Sequence, residues 1–500
     1  AKLYASLGYL NKDGYLRVGN DAYKRYNVLM KGEFKVNNWL SLDEKIVLNS
    51  QYSDKAHDYS TDVSVNNITR ANPMQPIRFP DLEFYLTPGD RDRFSPYIGQ
   101  YFTGLNALPY LEKGGRTTFS TIDLWLTQGI TLSPLKGLKI RGEFSINSYT
   151  RIYQDMQSKV EQLNVNITGP MVTLGYSADD WIETGNTNNK YAVLNAYAEY
   201  EASGLGNHSL SIMGGVNQEN GYYRLVSAKN RGLISPTLND IGATIGSQTA
   251  TGNQSEVALL GMFYRINYDF KKKYLLELNG RYDGSSRFPQ ASRYGFFPSF
   301  SAGWRISEEK FMQGTQSWID NIKIRASYGE LGNQLLGSNY YPYLPQMPVG
   351  TTTNIFNIGT SPMVSAAGLV SPSLTWENVA SKNIGLDFSL FQRKLDVSLD
   401  AYTRDTKKML LNVSYPAILG TAAPKENGAD LRTKGWEAAV TWKDKIAKDW
   451  NYDVTLALSD NQAEITKYNN PTGNIGTYYV GMKLGQIWGY KSVGIFQYDD

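Results

Sequence analysis

Two segments of the chain carry hydrogen-bonding and charged side chains at every second position. Such spacing puts carboxylate, amide and guanidinium groups on one face of a β-strand, because successive side chains of a strand point to opposite sides. Together these groups could line the path of a polar solute, although any water-facing sheet also needs a polar side. The candidate residues are Arg141, Glu143, Glu277, Asn279, Arg281 and Asp283.

Tyrosines cluster in two further segments that show no alternation. Their rings could stack on sugar rings or peptide side chains, since an aromatic ring offers a large contact area and a hydroxyl for hydrogen bonding. The alternative is that each segment packs against itself or against a partner. The candidates are Tyr97, Tyr101, Tyr340, Tyr341 and Tyr343.

Residues suited to catalysis are sparse. The chain has no cysteine, which removes disulfides, thiolate metal sites and cysteine nucleophiles together. His57 and His208 are its histidines, and no pattern places either beside a serine or a carboxylate, so we expect both to be solvated. We therefore expect no enzyme, no catalytic residue and no metal or cofactor site.

Acidic residues do not change that expectation. Asp81 and Glu83 have the residue types of a glycosidase pair, but 47 acidic residues make such pairs common by chance. The terminal Asp499 and Asp500 and the Asn-rich segment 468–474 offer oxygen ligands without a twelve-residue calcium loop. The sequence leaves calcium in the loops or in a partner open.

The elements that position these side chains show a period of two. In 256–270, Leu260, Met262 and Ile266 fall on one face, and Arg265 and Asn267 fall on the other. The pattern resumes after two lysines and predicts a hairpin with one apolar and one polar side.

Fifteen segments share this pattern, and most are long enough to cross a bilayer, which takes about 9 to 11 tilted residues. Short and long connections alternate between them, as they do in a transmembrane β-barrel with short periplasmic turns and long extracellular loops. Aromatics flank two short connections, Phe270 with Tyr274 and Trp442 with Trp450, as interface anchors would. The predicted strands are 2–10, 25–36, 39–50, 120–132, 138–149, 190–201, 208–219, 256–270, 273–284, 297–306, 321–330, 381–390, 395–405, 432–443 and 450–460.

Composition agrees with a large antiparallel all-β barrel. Charged residues make up 19% of the 500 residues, and there are 36 tyrosines and 46 glycines. No run of eighteen apolar residues exists, which excludes helical membrane spans. A net charge of +3 gives no electrostatic case for nucleic acid. Soluble sandwiches and propellers also alternate, but their strands are shorter, and loops as long as 51–119 are uncommon in them.

A series of motifs in order resembles the barrel of SusC/RagA-type TonB-dependent transporters. The resemblance is densest from 256 to 500 and looser before it, where SLGYLNKDG at 6–14 still fits. The motifs are RYDGSSRFP at 281–289, RYGFFPSFSAGWRISEE at 293–309, IDNIKIRASYGELGNQ at 319–334, the run from SPSLTWEN at 371, ENGADLRTKGWEAAVTW at 426–442 and GMKLGQIWGYKSVGIFQ at 481–497.

This resemblance implies a multi-pass barrel of the bacterial outer membrane with about 22 strands and an N-terminal plug domain. It also implies active import of oligosaccharides or peptides, with energy from the TonB complex and a SusD-like surface lipoprotein as partner. About fifteen strands and no plug are visible here, so we expect residues 1–500 to be part of one transmembrane β-barrel domain.

Two other functions stay open at this point. A secreted or surface all-β glycan-processing enzyme or lectin, for example a propeller, would fit a repeated blade motif, but the sequence shows none. A passive porin is disfavoured by the very long loops. The motifs RYDGSSRFP and SYGELGN are interpreted mainly as turn and bulge chemistry that holds the rim of the barrel.

Overall fold

The computed structural model describes most of the chain. The described residues are 1–14, 18–57, 76–81, 87–102, 106–165, 172–176, 179–334, 337, 340–356, 359–412, 424–447, 449–471 and 473–495.

Fifteen strands among the described residues form one antiparallel sheet, and each strand is hydrogen-bonded to the next one along the chain that belongs to the sheet. Their order is β1, β2, β3, β4, β5, β8, β9, β10, β11, β12, β13, β16, β17, β18, β19. Their bounds are β1 Lys2–Asp13, β2 Ala22–Lys35, β3 Leu40–Ala56, β4 Arg116–Leu135, β5 Leu138–Gln157, β8 Trp181–Ala202, β9 His208–Arg231, β10 Gln248–Phe270, β11 Tyr274–Ser285, β12 Tyr294–Arg305, β13 Ile319–Asn333, β16 Glu377–Leu390, β17 Leu395–Asn412, β18 Lys425–Ala447 and β19 Trp450–Lys467.

Each of the fifteen predicted strands is present, which confirms the interpretation of the alternating pattern. Most of them are longer than predicted on the side of the long connections. For example, β8 begins at Trp181 instead of 190, and β9 ends at Arg231 instead of 219. Backbone pairing continues there although the regular alternation of apolar and polar residues fades.

Short elements in the connections between these strands were not predicted. Two hairpins, β6 with β7 and β14 with β15, stay outside the large sheet. Helical turns of three to seven residues also occur. The bounds are β6 Glu161–Val165, β7 Val172–Tyr176, β14 Val349–Phe356 and β15 Gly359–Val364, α-helices Pro88–Phe94 and Leu108–Lys113, and 3-10 turns Ser95–Tyr97, Gln290–Ser292, Ile306–Glu308 and Lys310–Thr315.

The contacts divide the chain into two units. Unit 1 comprises Ala1–Thr131, Glu143–Leu194 and Asn220–Glu256. Two of its long connections share a small core, in which Phe79, Phe94 and Phe102 of the β3–β4 connection pack with Leu163 of β6, and Tyr97 lies against them. Aromatic burial of this kind holds the two connections together without adding them to the sheet.

Unit 2 comprises Leu132–Gly142, Asn195–Glu219 and Val257–Asp500. Register keeps like side chains together across its strands: Leu278 of β11 pairs with Phe300 of β12, and Glu277 pairs with Ser301. One face is therefore apolar and exposed, with Leu278, Phe300 and Leu456 among its members. We call the opposite side, which carries Glu277 and Ser301, the polar face.

Aromatic side chains mark the apolar face beside the short connections. The rings of Phe270 and Tyr274 stack at 6.3 Å. The Tyr274 hydroxyl and the Trp304 indole N–H both donate to Glu309, over 2.7 and 3.1 Å. The hydrogen bond from Tyr274 is the main cause that lowers the pKa of Glu309. The predicted anchors Trp442 and Trp450 are also exposed on this rim, as interfacial aromatics of a membrane protein are.

Helices of the described residues are all too short or too polar to span a bilayer. Across the same ranges, no group of histidine and acidic side chains is arranged to hold a metal ion.

Candidate functional site

The four candidate residues of β11 do lie together on the polar face of unit 2. Arg265 of β10 pairs with Asn279 in the register, and its Nε donates to Oδ1 of Asn279 over 2.9 Å. The amide of Asn279 then donates to Oε1 of Glu277 over 2.6 Å. This chain of hydrogen bonds crosses two strands and fixes the orientation of each side chain, so the strip is preorganised for polar contacts.

Farther along β11, Arg281 and Asp283 form an ion pair of 2.8 Å. Gly261 lies opposite Asp283 in the neighbouring strand, and a side chain there would collide with both charged groups. The glycine therefore leaves the room in which this pair lies flat on the sheet.

An arginine cluster on the same face was not predicted. Nε of Arg325 lies 3.0 Å from Asp387, and its two terminal nitrogens donate to the two oxygens of Asp400 over 2.6 Å each. Ser398 also donates to Asp387, and Asn383 donates to Asp400. A guanidinium that binds one carboxylate with both nitrogens is held in one geometry. The partners stand on β16 and β17, 62 and 75 residues away, and no local pattern reveals them.

A cavity of about 460 Å³ opens on this polar face. Acidic Asp269 and Glu277 line one part of it, and basic Lys323 and Arg325 line another. Between them, β12 contributes the side chain of Ser301 and the backbone of Gly303. A lining with both charges and neutral hydrogen-bonding groups can hold a polar solute of modest size.

Arg141 and Glu143 both lie on β5, which begins at Leu138. Both side chains are half-buried, and both have interactions within the chain. Their alternation with the exposed Ile140 and Phe144 agrees with a place on the polar side of that strand.

Tyr101 forms its side-chain contacts within the connection between β3 and β4. Its side chain is only 1% exposed, the Arg78 guanidinium lies 4.0 Å from the centre of its ring, and its hydroxyl donates to Glu112. Burial, followed by the hydrogen bond to Glu112, raises the pKa of Tyr101 to about 12. Tyr97 packs edge-on against Phe79 at 6.4 Å. These contacts favour the alternative reading, that this segment packs against itself.

The second tyrosine cluster is more accessible. Tyr340 lies under the Arg287 guanidinium, 4.4 Å from ring centre to Cζ. Tyr341 and Tyr343 are half-buried, and Tyr341 also interacts within the chain. Their exposed edges remain candidates for contact with a solute.

Four of the sequence motifs meet at one place beside the long connections. Phe288, Phe297, Leu374 and Trp376 form a buried cluster, which we call the motif hub. The Trp376 indole donates to the carbonyl of Arg293 over 2.8 Å. These motifs therefore hold loops to strands, which supports their interpretation as rim structure.

Polar contacts close the motif hub. Thr375 donates its hydroxyl to the Ser292 carbonyl over 3.0 Å, and Ser292 donates to the Leu374 carbonyl over 2.6 Å. The amide of Asn427 donates to the Thr375 carbonyl over 2.9 Å. Hydrogen bonds between side chains and backbone carbonyls thus join three segments that are far apart in sequence.

The expectation of solvated histidines is wrong for His57. Its Nδ1 lies 2.6 Å from Oδ1 of Asp155, and Thr117 donates to the same oxygen over 2.5 Å. The carboxylate lies between the hydroxyl and the imidazole, whereas a catalytic triad needs the imidazole between the other two groups. His208 is exposed, as expected, and its Nδ1 lies 2.8 Å from the Tyr268 hydroxyl.

The remaining chemical candidates form no site in the described residues. Asn470 is occupied by its own turn, because its amide donates to the carbonyls of Asn474 and Tyr478. Asp81 has an interaction within the chain. Glu83 and the terminal pair Asp499 and Asp500 lie outside the described residues.

The family of the chain follows from comparison with known proteins. Residues 37–490 match the family model described as TonB dependent receptor-like, beta-barrel. The chain therefore belongs to this family of outer-membrane receptor and transporter barrels, which are not enzymes. Membership excludes the secreted enzyme or lectin that the sequence alone had left open. The SusC/RagA resemblance is likewise confirmed.

Individual relatives agree with that family. The chain is 26% identical to TonB-dependent receptor P39 of Formosa agariphila, over all of this chain and 45% of that protein. It is 31% identical to TonB-dependent receptor SusC of Bacteroides thetaiotaomicron, over 57% of this chain and 28% of that protein. The chain spans less than half the length of these curated relatives.

A solved structure shares the fold. The RagAB peptide importer in its closed-closed state superimposes with a TM-score of 0.74 at 21% identity, over 94% of this chain and 50% of that one.

Proposed function

We propose that the protein is an active importer of the outer membrane that draws energy from the TonB complex. The observation that carries the proposal is the family match over 37–490, joined to a wall with one apolar and one polar face. The apolar face suits lipid, and the preorganised polar face suits a solute path. In this proposal residues 1–500 form part of one barrel domain, the plug lies outside this chain, and no bound cofactor takes part.

A SusD-like surface lipoprotein is the partner in this proposal. Its support is the likeness to SusC and to the RagAB importer. The lipoprotein would cover the side of the long connections, where the motif hub around Trp376 gives the loops a fixed base. The other proposed partners are the lipid of the outer membrane and the TonB complex, which would be contacted through segments outside this chain. Calcium bound in the loops or in the lipoprotein stays an open alternative.

Cargo would be oligosaccharides or peptides. RagAB, which has the same fold, is a peptide importer, and this favours peptides by likeness of fold alone. The cavity lined by Glu277, Ser301 and Lys323 offers both charges to peptide groups and neutral donors to sugar hydroxyls. Arg141, Glu143, Asn279, Arg281, Asp283 and the exposed edges of Tyr340, Tyr341 and Tyr343 stay candidates for the path.

Uptake by cells that carry the complete protein tests the proposal. Labelled peptide and oligosaccharide mixtures are supplied with and without a protonophore, and a strain lacking the gene is the control. We expect uptake of one cargo class that needs both the gene and the proton gradient. Gene-dependent uptake that persists with the protonophore would instead establish a passive porin and refute the proposal.

A further inference from the structure

The short connection between β10 and β11 is a tight turn made of residues that such turns disfavour. The amide of Lys273 donates to the Phe270 carbonyl over 3.0 Å, which closes a turn around Lys271 and Lys272. Both central residues have positive φ, 54° and 57°, as in a type I′ turn, where asparagine and glycine are preferred because longer side chains crowd the backbone. Two lysines at these places indicate that their side chains serve a purpose there.

A second short connection at the same end of the sheet shows the same choice. Between β16 and β17, Phe391, Gln392 and Arg393 have φ of 59°, 59° and 61°, and the amide of Lys394 donates to the Phe391 carbonyl over 3.3 Å. The Phe391 side chain is 47% exposed. Both turns thus hold basic and aromatic side chains in a backbone conformation that glycine adopts at lower cost.

Aromatic rings show at which level of the membrane the first turn lies. The rings of Phe270 and Tyr274 stack beside the apolar face, and the Lys271 ammonium lies 5.2 Å from the centre of the Phe270 ring. Interfacial aromatic rings of this kind lie where the hydrocarbon gives way to the lipid headgroups. The charge of Lys271 is therefore at the level of the headgroup phosphates.

The connection between β12 and β13 brings a further lysine to the same place. Glu309 of this connection binds Lys273 over 3.4 Å and the Tyr274 hydroxyl over 2.7 Å, which holds the connection against the turn. The next residue, Lys310, is exposed, and Phe311 after it is 69% exposed. A lysine beside an aromatic ring therefore occurs twice. We call Lys271, Lys272 and Lys310 the lysine patch.

The lysine patch carries positive charge without a partner. In the part of the chain that the structure describes, its three ammonium groups form no ion pair, whereas Lys273 is paired with Glu309. Of the other acidic residues nearby in sequence, Asp269 lines the cavity on the polar face, which leaves the exposed Glu308. A headgroup with a net negative charge would neutralise the remaining excess.

We propose that the lysine patch binds the phosphate of an anionic phospholipid, while Phe270 and Phe311 contact the acyl chains. A zwitterionic headgroup brings its own ammonium group, whereas an anionic one leaves the phosphate charge to the lysines. The patch is continuous with the apolar, lipid-facing side of the sheet, and its exposed rings have no contact to make with a soluble phosphate. This inference depends on the membrane-spanning sheet alone, and neither the cargo nor the surface lipoprotein enters it.

Native mass spectrometry of the complete protein tests this site. The protein is released from micelles with equal amounts of phosphatidylglycerol and phosphatidylethanolamine, and the retained lipids are counted. The test variant is Lys271→Asn with Lys272→Gly, which is the sequence that a type I′ turn prefers. Removing the charges should therefore not impair the turn, and heat-modifiable gel mobility verifies that each barrel has folded.

Two matched controls separate the position of the charges from their number. Lys271→Arg with Lys272→Arg keeps both charges in the turn. Lys12→Asn with Lys24→Asn removes two exposed lysines from β1 and β2, at the ends away from the short connection between β2 and β3.

We expect the wild type to retain phosphatidylglycerol in preference to phosphatidylethanolamine. The Asn-Gly variant should lose at least about tenfold of this preference, which corresponds to about 1.4 kcal/mol, and both controls should keep it. The preference should weaken in 1 M salt, where the Debye length is about 3 Å.

Three results would overturn the site. They are a wild type without the preference, a folded Asn-Gly variant that keeps all of it, and an equal loss in the Lys12 and Lys24 control. Displacement of phosphatidylglycerol by an equal concentration of inorganic phosphate would assign the patch to a soluble anion and overturn the lipid. None of these results bears on import, so the proposed function is tested separately.

Discussion

The guanidinium of Arg325 lies flat against the backbone of Gly385. A Cβ atom added to that glycine would be 2.5 Å from Cζ of Arg325, closer than such atoms approach in proteins. Gly385 is therefore the space that lets Arg325 reach Asp387 and Asp400 at once. The absence of a side chain at Gly385 therefore makes room for the ion pairs of Arg325 on the polar face.

Gly385→Ala should consequently displace Arg325 and weaken its ion pairs. We expect a loss of at most about 1.5 to 3 kcal/mol, the usual range for hydrogen bonds to charged groups. The measurement is the denaturant midpoint of the purified protein in detergent. Gly142→Ala is the control, because no atom lies within 4 Å of a Cβ there. Equal midpoints for the two variants would show that Arg325 has room elsewhere.

An added charge should impair barrel assembly on one face of β19 and be tolerated on the other. Leu456 lies on the exposed apolar face, and Ser459 pairs with Glu437 on the polar face. Leu456→Arg should cost roughly 2 to 4 kcal/mol if it lies at the bilayer midplane, and Ser459→Arg should be tolerated. Heat-modifiable mobility of the membrane-inserted protein reports assembly. If both variants assembled equally, the assignment of Leu456 to a lipid face and of Ser459 to a polar face would be wrong.

The motif hub should hold the loops without holding the barrel. Trp376→Ala removes a ring that contacts Phe288 at 5.3 Å and Phe297 at 5.5 Å. Truncating a buried tryptophan costs about 3 to 5 kcal/mol. We expect protease applied to intact cells to cut the 331–376 segment faster, while heat-modifiable mobility is unchanged. Trp376→Phe should be cut at an intermediate rate. If the segment in the alanine variant were cut no faster than in the wild type, the motif hub would not be what holds the loops.

The connection between β3 and β4, which contains Tyr101, should lose stability at alkaline pH. The pKa of Tyr101 is raised to about 12 from the ordinary value of 10.0. Above pH 10 the unfolded loop loses the phenol proton and the folded loop keeps it, so stability is constant below pH 10 and falls as pH rises toward 12. The fall is up to about 3 kcal/mol, at 1.36 kcal/mol for each unit.

Tyrosinate absorbance of the wild type minus that of Tyr101→Phe isolates this one titration. A difference that appears near pH 12 agrees with a buried Tyr101, and one centred at or below pH 10 contradicts the contact with Glu112.

Sequence predicted the sheet well because its signal is local. Leu276, Leu278 and Tyr282 alternate with Glu277, Asn279 and Arg281, and the structure keeps that alternation through three strands. The strand ends on the side of the long connections were missed because the regular alternation of apolar and polar residues fades there. The hairpin of Val349 and Val364 was missed because threonine and proline interrupt its alternation.

Long-range pairings could not be predicted from one sequence. His57 meets Asp155 across 98 residues, and Arg325 meets Asp400 across 75. Each side chain alone is ordinary, and only the register of several strands brings the partners together. The tyrosines were similarly ambiguous: nothing local separates the buried Tyr101 from the more accessible Tyr343.

The alternation of lipid and water along β11 tests the central claim most directly. Because the chain has no cysteine, single cysteines at successive positions from Leu276 to Tyr282 can each be labelled in native outer membranes. A lipid-soluble maleimide and a charged, water-soluble one are compared at each position. We predict that the cysteines replacing Leu276, Leu278 and Tyr282 react with the lipid-soluble reagent, and those replacing Glu277, Asn279 and Arg281 with the charged one. Reaction of every position with the charged reagent would contradict a membrane-spanning barrel wall.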